Sequence, residues 1–157
     1  QENTKLPKFM RFGWFGAYGE GWAHYCETLG PEFGLYTDPY QQMGYLSDQM
    51  LRAVRLVIDT GLHTGTMNRE EAIKYFLSNI SYDEASATAE IERYMAMPGQ
   101  ALGYKIGSLK IRELRDRYTK ELGSKFSLAK FHDEVLNQGC LPLDVLDRKM
   151  ENWAKKQ

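Results

Sequence analysis

The chain has 157 residues, a length that fits one ordinary domain with a sizeable core. Its 20 lysines and arginines balance 21 aspartates and glutamates, and the net charge of −1 argues against a dedicated nucleic-acid binder or a polybasic membrane module. No apolar run reaches the roughly 18 residues of a transmembrane helix, and the two cysteines are too few for a disulfide framework.

Glycines, prolines and capping residues divide the sequence into about seven predicted helices, without an alternating strand pattern. In chain order, these helices run from about Ala17 to Leu29, from Asp38-Pro39 to about His63, from Asn68 through Leu77, from Ser81 to about Met95, from Pro98-Gly99 to Leu122, from Ser127 through Leu136 and from Pro142 through Trp153. Gly30 and Pro31 are expected to end the first helix, and Ser81 with Glu84 predicts a capping box. We therefore expect an all-α array in a single segment over residues 1–157.

The longest predicted helix carries apolar residues at helical spacing, which predicts that one of its faces is buried. These residues are Leu46, Met50, Val54, Val57, Ile58 and Leu62. We expect this face to belong to the core.

The densest polar cluster contains Glu20, His24 and Glu27, whose spacing places them on one face of a helix. A carboxylate and an imidazole one turn apart can both reach a metal ion, but the same spacing is also common on solvated helix faces. Gly19 and Gly21 flank Glu20, and each costs about 1 kcal/mol in a helix interior. Such glycines favour the close approach of another backbone or of a ligand.

The segment Gly19–Glu27, GEGWAHYCE, resembles the second zinc-binding segment of gluzincin metallopeptidases. The chain resembles more closely a bacterial family of that clan, domain of unknown function 885. The further blocks that carry this resemblance, in the order of the family, are Asp38-Pro39-Tyr40, Asp59–His63, Pro98–Gly107, Phe131–Asp133 and Leu141–Leu143. The resemblance therefore extends over nearly the whole chain, and it implies the C-terminal half of a gluzincin-like peptidase domain.

The resemblance implies a zinc-dependent peptidase that hydrolyses peptide bonds with metal-activated water. It makes Glu20 the third zinc ligand, and it places Glu27 beside the ligands in a supporting role. The family's HExxH segment, which holds two histidine ligands and the general base, is not present: the histidines here are His24, His63 and His132. We therefore expect two partners, a peptide substrate and an N-terminal HExxH-bearing part of the same protein, and we expect this chain alone to be inactive.

A second polar cluster, Arg55, Asp59 and His63, recurs at every fourth residue. Asp59 could pair with Arg55 and orient the imidazole of His63. The resemblance implies that His63 donates a hydrogen bond to the tetrahedral intermediate or binds substrate. The alternative is a histidine that interacts with the dipole at the end of its helix.

A third block surrounds Tyr104 with small residues that let a helix start pack closely: Gly99, Ala101, Gly103 and Gly107. The resemblance implies that the Tyr104 hydroxyl stabilises the oxyanion of the peptide-bond intermediate. A buried tyrosine with a satisfied hydroxyl is the alternative. Gln100 is a further candidate for a substrate contact.

A different class of function stays open, in which the chain is a non-catalytic helical binding module or an inactive remnant. Because Gln1 is not a methionine and no apolar leader follows, we expect a mature, trimmed or excised part of a longer protein. Family members are found as exported lipoproteins and without export signals, so the bacterial periplasm, a lipoprotein anchor and the cytoplasm are all open locations.

Overall fold

The computed structural model describes residues 2–157, and Gln1 lies outside the described residues. Within that range the regular elements are helices, and no strand forms. The α-helices are α1 (Lys8–Phe12), α2 (Gly16–Glu27), α3 (Leu29–Glu32), α4 (Pro39–Thr64), α5 (Arg69–Asn79), α6 (Glu84–Ala96), α7 (Gly103–Leu122), α8 (Leu128–Leu136) and α9 (Leu143–Ala154), with short 3₁₀ helices at Gln100–Leu102 and Gly123–Lys125. The all-α class expected from the sequence is confirmed.

The starts of several helices follow from the capping residues that the sequence predicts. Asp38 caps α4 by accepting a hydrogen bond from the backbone amide of Tyr40 at 2.6 Å. Asn68 and Glu71 form a capping box at α5, and Ser127 caps α8. Side-chain acceptors at these positions satisfy backbone amides that the first turn of a helix leaves unpaired.

The prediction that Gly30 and Pro31 end the first long helix is wrong. Helix α2 ends at Glu27, and both residues lie in the short helix α3 that follows. Pro31 is in the first turn of α3, where the missing amide hydrogen breaks no helical hydrogen bond. Gly30 packs against the ring of Tyr36, because a Cβ atom on Gly30 would lie 2.4 Å from the ring's Cζ.

The predicted capping box at Ser81 is also wrong, because the cap of α6 is Asp83. One carboxylate oxygen of Asp83 accepts from the Ser86 backbone amide at 2.9 Å, and the other accepts from the Ser86 hydroxyl at 2.6 Å. An ionised carboxylate offers two strong acceptors where a serine offers one hydroxyl. The helix start therefore lies two residues beyond Ser81.

The described residues form two compact units. One unit contains the residues up to Tyr25 together with Ile106–Gln157, and the other contains Cys26–Lys105. The two boundaries lie inside α2 and α7, so the chain passes from unit to unit within helices.

Helices α4, α5 and α6 build the core of the Cys26–Lys105 unit. Ile58 of α4, Phe76 of α5 and Ile91 of α6 are fully buried in one apolar cluster. Burial of this kind contributes about 1.5–3 kcal/mol for each large apolar side chain.

In the second half of α4, the predicted buried face is confirmed for Val54 and Ile58 but is wrong for Val57, which is 44% exposed. The prediction is wrong for the first half, because Leu46 is 50% exposed and Met50 is 48% exposed. Leu51 is buried instead of them. The apolar spacing shows which residues share a face, but the elements that cover that face decide which residues are buried.

In the other unit, α2 and α7 pack backbone against backbone. A Cβ atom on Gly21 would lie 2.4 Å from the Cα of Gly107, and a Cβ atom on Gly107 would lie 1.7 Å from the carbonyl oxygen of Ala17. The hydroxyl of Tyr18 donates to the carbonyl oxygen of Val135, which ties α2 to α8. Only glycine permits an approach this close, so these contacts fix the position of α2 in its unit.

In the described part of the chain, no helix combines the length and the apolar composition that a bilayer crossing requires.

We predict that Gly107→Ala lowers the free energy of unfolding by about 3 kcal/mol, because its methyl group would overlap the backbone of α2. The matched control is Gly44→Ala, at a helical position where an added Cβ atom meets nothing within 4 Å. That control should raise the free energy of unfolding by about 0.5–1 kcal/mol, since alanine has the higher helix propensity. Urea denaturation of the three proteins measures both effects. An unchanged stability of Gly107→Ala would contradict the close approach.

Candidate functional site

Helix α2 holds Glu20 between two glycines, and both glycines have contacts that explain them. A Cβ atom on Gly19 would lie 2.2 Å from the Trp14 ring, and Gly21 packs against the backbone of Gly107. The close neighbours are thus an indole ring and another helix. The glycines let α2 pack closely, and this packing fixes the side of the helix from which the Glu20 side chain extends.

The Glu20 carboxylate is half-buried and forms neither a hydrogen bond nor an ion pair with the described residues. His24, one turn further along α2, is only 1% exposed. The interpretation of this cluster as a solvated polar face is therefore wrong for His24. In the part of α2 that belongs to this unit, Glu20 is therefore the carboxylate that is available to bind a cation from outside the described residues.

The next turn of α2 packs against α8 through aromatic contacts. The Tyr25 hydroxyl and the Nε2 atom of His132 are 2.9 Å apart, and the rings of Trp22 and His132 meet edge to face at 5.2 Å. No spacing in the sequence indicates that His132 contacts α2. His132 therefore has a packing role in this unit.

The chemistry of the donor set decides whether these residues fit a zinc ion. Among residues 2–157, no group of three histidine, cysteine, aspartate or glutamate side chains is placed to hold a metal ion. A catalytic zinc ion usually takes three protein ligands. Glu20 fits the role of one ligand, and the other ligands would have to come from outside the described residues.

The Cys26–Lys105 unit contains a separate polar network around Arg55. The Arg55 Nε atom donates to the Tyr94 hydroxyl at 2.8 Å, and its Nη2 atom donates to Glu90 at 2.9 Å. The Tyr94 hydroxyl also donates to Glu90, and Arg93 pairs with the same carboxylate at 3.1 Å. The buried guanidinium of Arg55 is therefore neutralised by α6.

This network strongly stabilises the ionised form of Glu90. Burial by itself would raise the pKa of Glu90, but hydrogen bonds from Arg93, Tyr94 and Arg55 and the charge of Arg55 outweigh it and lower the pKa to about 2. Burial and the hydrogen bond to Glu90 raise the pKa of Tyr94 to about 12. At neutral pH, Glu90 is thus ionised and Tyr94 is protonated.

The predicted pairing of Asp59 with Arg55 is wrong, because Arg55 binds Glu90 and Tyr94. Asp59 is buried, and its Oδ1 atom accepts from the backbone amide of Gly99 at 3.0 Å. Gly99 has a φ of 78°, which is the left-handed region that glycine adopts most easily. Asp59 therefore holds the turn that leads into the 3₁₀ helix and α7.

The His63 ring turns one nitrogen toward α6. Its Nε2 atom lies 3.0 Å from the Tyr94 carbonyl oxygen and 3.7 Å from the Asp59 carboxylate. A carbonyl oxygen can only accept, so Nε2 carries the proton and donates it there. Any donation from His63 to a bound substrate must therefore use Nδ1, and His63 also lies in the last turn of α4, as the helix-end alternative predicts.

Tyr104 lies near the start of α7, and two cations contact its ring. The guanidinium carbons of Arg52 and Arg55 lie 5.2 and 5.4 Å from the ring centre. The ring is half-buried, and within residues 2–157 the hydroxyl forms no hydrogen bond. Gln100 is occupied, because its side-chain oxygen accepts from Arg93 at 2.7 Å.

Glu27, at the end of α2, interacts with a chain of polar groups in the Cys26–Lys105 unit. Gln49 lies between Glu27 and Lys105: its amide nitrogen is 3.5 Å from the Glu27 carboxylate, and its oxygen accepts from Lys105 at 2.9 Å. Burial and the charge of Asp48 raise the pKa of Glu27 above its ordinary value. Glu27 therefore differs from Glu90, although both are half-buried carboxylates.

The structure thus brings together Arg55, Asp59, His63, Gln100 and Tyr104 in the Cys26–Lys105 unit through α4, α6 and the start of α7. The sequence does not predict Glu90 and Tyr94, which organise this network. Their spacing along α6 could have indicated a polar pair, but only the structure shows which cation they bind.

The sequence of this helical chain matches a known family over most of its length. The family model described as "Bacterial protein of unknown function (DUF885)" matches residues 1–150, so the chain belongs to this family. No curated protein matches the sequence.

A solved structure of a candidate lipoprotein from Colwellia psychrerythraea is similar to this chain. The two share 48% sequence identity and a TM-score of 0.94, and the match covers 98% of this chain and 26% of that chain. The chain thus spans about a quarter of the length of the Colwellia protein.

We predict opposite effects on stability when the two half-buried glutamates are neutralised. At pH 7, Glu90→Gln should lower the free energy of unfolding by about 1–2 kcal/mol after allowance for solvent screening, because the fold favours ionised Glu90. Glu27→Gln should raise it, because the fold disfavours ionised Glu27.

Urea denaturation as a function of pH measures both differences. A lowered pKa gives stability that is present above pH 4.5 and is lost as the pH falls toward 2, so the deficit of Glu90→Gln should shrink over that range. A raised pKa makes ionisation costly above the folded pKa, so the gain of Glu27→Gln should vanish as the pH falls to about 4.5. Equal effects of the two substitutions would contradict these assignments.

Proposed function

We propose that the chain is the C-terminal portion of a zinc-dependent peptidase, to which it supplies the third zinc ligand and part of the substrate cleft. The observation that carries the proposal is Glu20, a half-buried carboxylate that makes no hydrogen bond or ion pair within the described residues. Membership of the family is compatible with it. The resemblance of Gly19–Glu27 to the second zinc-binding segment of gluzincins makes Glu20 the candidate for the third ligand.

The remaining ligands and the general base come, in this proposal, from an HExxH-bearing part of the same protein. The Colwellia relative is about four times as long as this chain, which is compatible with such a part. When bound, the zinc ion supplies a Lewis acid that polarises the scissile carbonyl and lowers the pKa of a bound water to about 7. Glu20 binds the metal, and the glycine contacts of α2 keep the carboxylate in place.

Tyr104 is the proposed donor to the oxyanion of the peptide-bond intermediate. Its hydroxyl forms no hydrogen bond within the described residues, and the guanidinium groups of Arg52 and Arg55 lie over its ring. A donor that needs no rearrangement stabilises developing charge most effectively. The turn that precedes Tyr104 is held by Asp59 and Gln100, which we place in positioning roles.

His63 is proposed to contact the peptide substrate through Nδ1, since Nε2 donates to the Tyr94 carbonyl oxygen. In its neutral form, this ring presents Nδ1 as an acceptor. A backbone amide of the substrate would be a suitable donor to it.

The proposal includes a location in the bacterial cell envelope. Its support is the Colwellia relative, which is described as a candidate lipoprotein.

The test of the zinc ligand is Glu20→Gln in the natural-length protein. Loss of a charged ligand should reduce both the zinc content and the hydrolysis of peptides, the latter by at least about 100-fold. Metal analysis and a fluorogenic peptide library measure the two quantities. Glu121→Gln, an exposed change on α7, is the matched control and should keep both. Unchanged zinc and activity in Glu20→Gln would favour a non-catalytic helical module.

Tyr104→Phe tests the oxyanion donor separately from the metal. Phenylalanine keeps the ring between Arg52 and Arg55 and removes only the hydroxyl. We expect kcat to fall by about 10²–10³-fold, with an unchanged zinc content and a KM within about threefold. A kcat equal to that of the unmodified enzyme would remove Tyr104 from the mechanism.

A further inference from the structure

The first three turns of α4 expose an apolar stripe on the Cys26–Lys105 unit. Tyr40 is 86% exposed, Met43 is 63% exposed, and Leu46 and Met50 are 50% and 48% exposed. Met43, Leu46 and Met50 are three and four residues apart, so they lie along one face of the helix. We call these four residues the α4 stripe.

The surroundings of the α4 stripe are nearly uncharged. Between Pro39 and Met50 the only ionisable acid or base, apart from tyrosine, is Asp48. Ile80 and Tyr82 border the stripe beside Leu46 and Met50, and Tyr82 is itself 45% exposed. A solvated helix normally presents charged residues on its outer face, so this composition is typical of a covered helix.

The second half of α4 buries one apolar face, although Val57 is 44% exposed. From Leu51 onward, the helix places Leu51, Val54 and Ile58 in the apolar cluster of the unit. The helix has 26 residues and a length of about 39 Å, and most residues of its first half are exposed. The stripe therefore continues outward from the core, whose residues Leu51 and Ile80 lie beside it.

We propose that the α4 stripe is covered by an apolar helix face from the part of the natural-length protein that lies outside this chain. This inference rests on the proposed function, in which that same part carries the HExxH segment. The observation that favours it is length, since about three quarters of the Colwellia relative lies outside the match.

Two other occupants fit the stripe less well. A membrane-surface helix carries lysines and arginines beside its apolar face, and none occurs between Pro39 and Met50. A symmetric dimer buries about 800 Å² on each partner, whereas the exposed parts of the four side chains supply only roughly half of that area. A segment of the same chain needs less area, because a covalent tether reduces the entropy cost of association.

The test is cysteine labelling of the natural-length protein with a maleimide, in which mass spectrometry reads the modification at one position. Leu46→Cys should react at least tenfold more slowly than Ala89→Cys, a control at an exposed position of α6. Equal rates would overturn the proposal. Protection of Leu46→Cys that disappears on dilution, together with dimer dissociation in light scattering, would overturn it in favour of a second copy.

A photo-crosslinking residue in place of Met43 gives an independent measurement if Leu46→Cys does not fold. Adducts should map to residues N-terminal to this chain, and adducts confined to a second copy or to added vesicles of anionic lipid would overturn the proposal. Zinc content and peptide hydrolysis are measured on the same protein. If the stripe is protected from labelling but the protein contains no zinc and hydrolyses no peptide, the proposed function is refuted and the covering of the stripe is still supported.

Discussion

The contact between Gly21 and Gly107 is the constraint on which the unit that carries Glu20 depends. Two helix backbones meet there with no side chain between them, and a methyl group on either glycine would overlap the other helix. Such a contact fixes both the distance between the helices and the rotation of α2 about its axis. Because Glu20 is the residue before Gly21, the same contact sets the direction in which its side chain leaves the helix. The helix propensity lost at the glycines is thus explained by packing, and the position of Glu20 follows from it.

Charge neutralisation plays the corresponding role in the Cys26–Lys105 unit. The spacing of Arg55 and Asp59 along α4 predicts an ion pair, but each residue binds a group on another element. A pair within one helix contributes about 0.3–0.5 kcal/mol, whereas a buried hydrogen bond to a charged group contributes about 1.5–3 kcal/mol. The hydrogen bonds to α6 and to the Gly99 turn are therefore favoured over an ion pair between Arg55 and Asp59. This outcome keeps Arg55 beside Tyr104 and leaves the Tyr104 hydroxyl available.

Local chemistry explains what the sequence could predict. Caps such as Asp38, Asn68 and Ser127 act on amides a few residues away, so the helix starts could be read from the sequence. Burial depends on elements that are distant in the sequence. For that reason the apolar spacing predicts a buried Leu46, whereas the structure buries Leu51. The candidate ligand Glu20 came from the resemblance to a family, because spacing alone left a solvated face open. The roles of Glu90 and Tyr94 needed the structure, since their cation lies 35 or more residues away in the chain.

Two features of the chain have no complementary partner within the described residues: one is a charged group without a counter-ion, and the other is an apolar surface without a covering element. Glu20 is a carboxylate that no described cation neutralises, and the α4 stripe is an apolar face that no described element covers. The buried guanidinium of Arg55, in contrast, has such partners, because it donates hydrogen bonds to Tyr94 and Glu90. One ionic and one apolar feature would both be explained by a single addition, a further part of the protein that brings a metal site to Glu20 and a helix to α4. Both proposals therefore assume a further part of the protein, but one concerns a metal site and the other an apolar contact. An experiment can contradict either of them without contradicting the other.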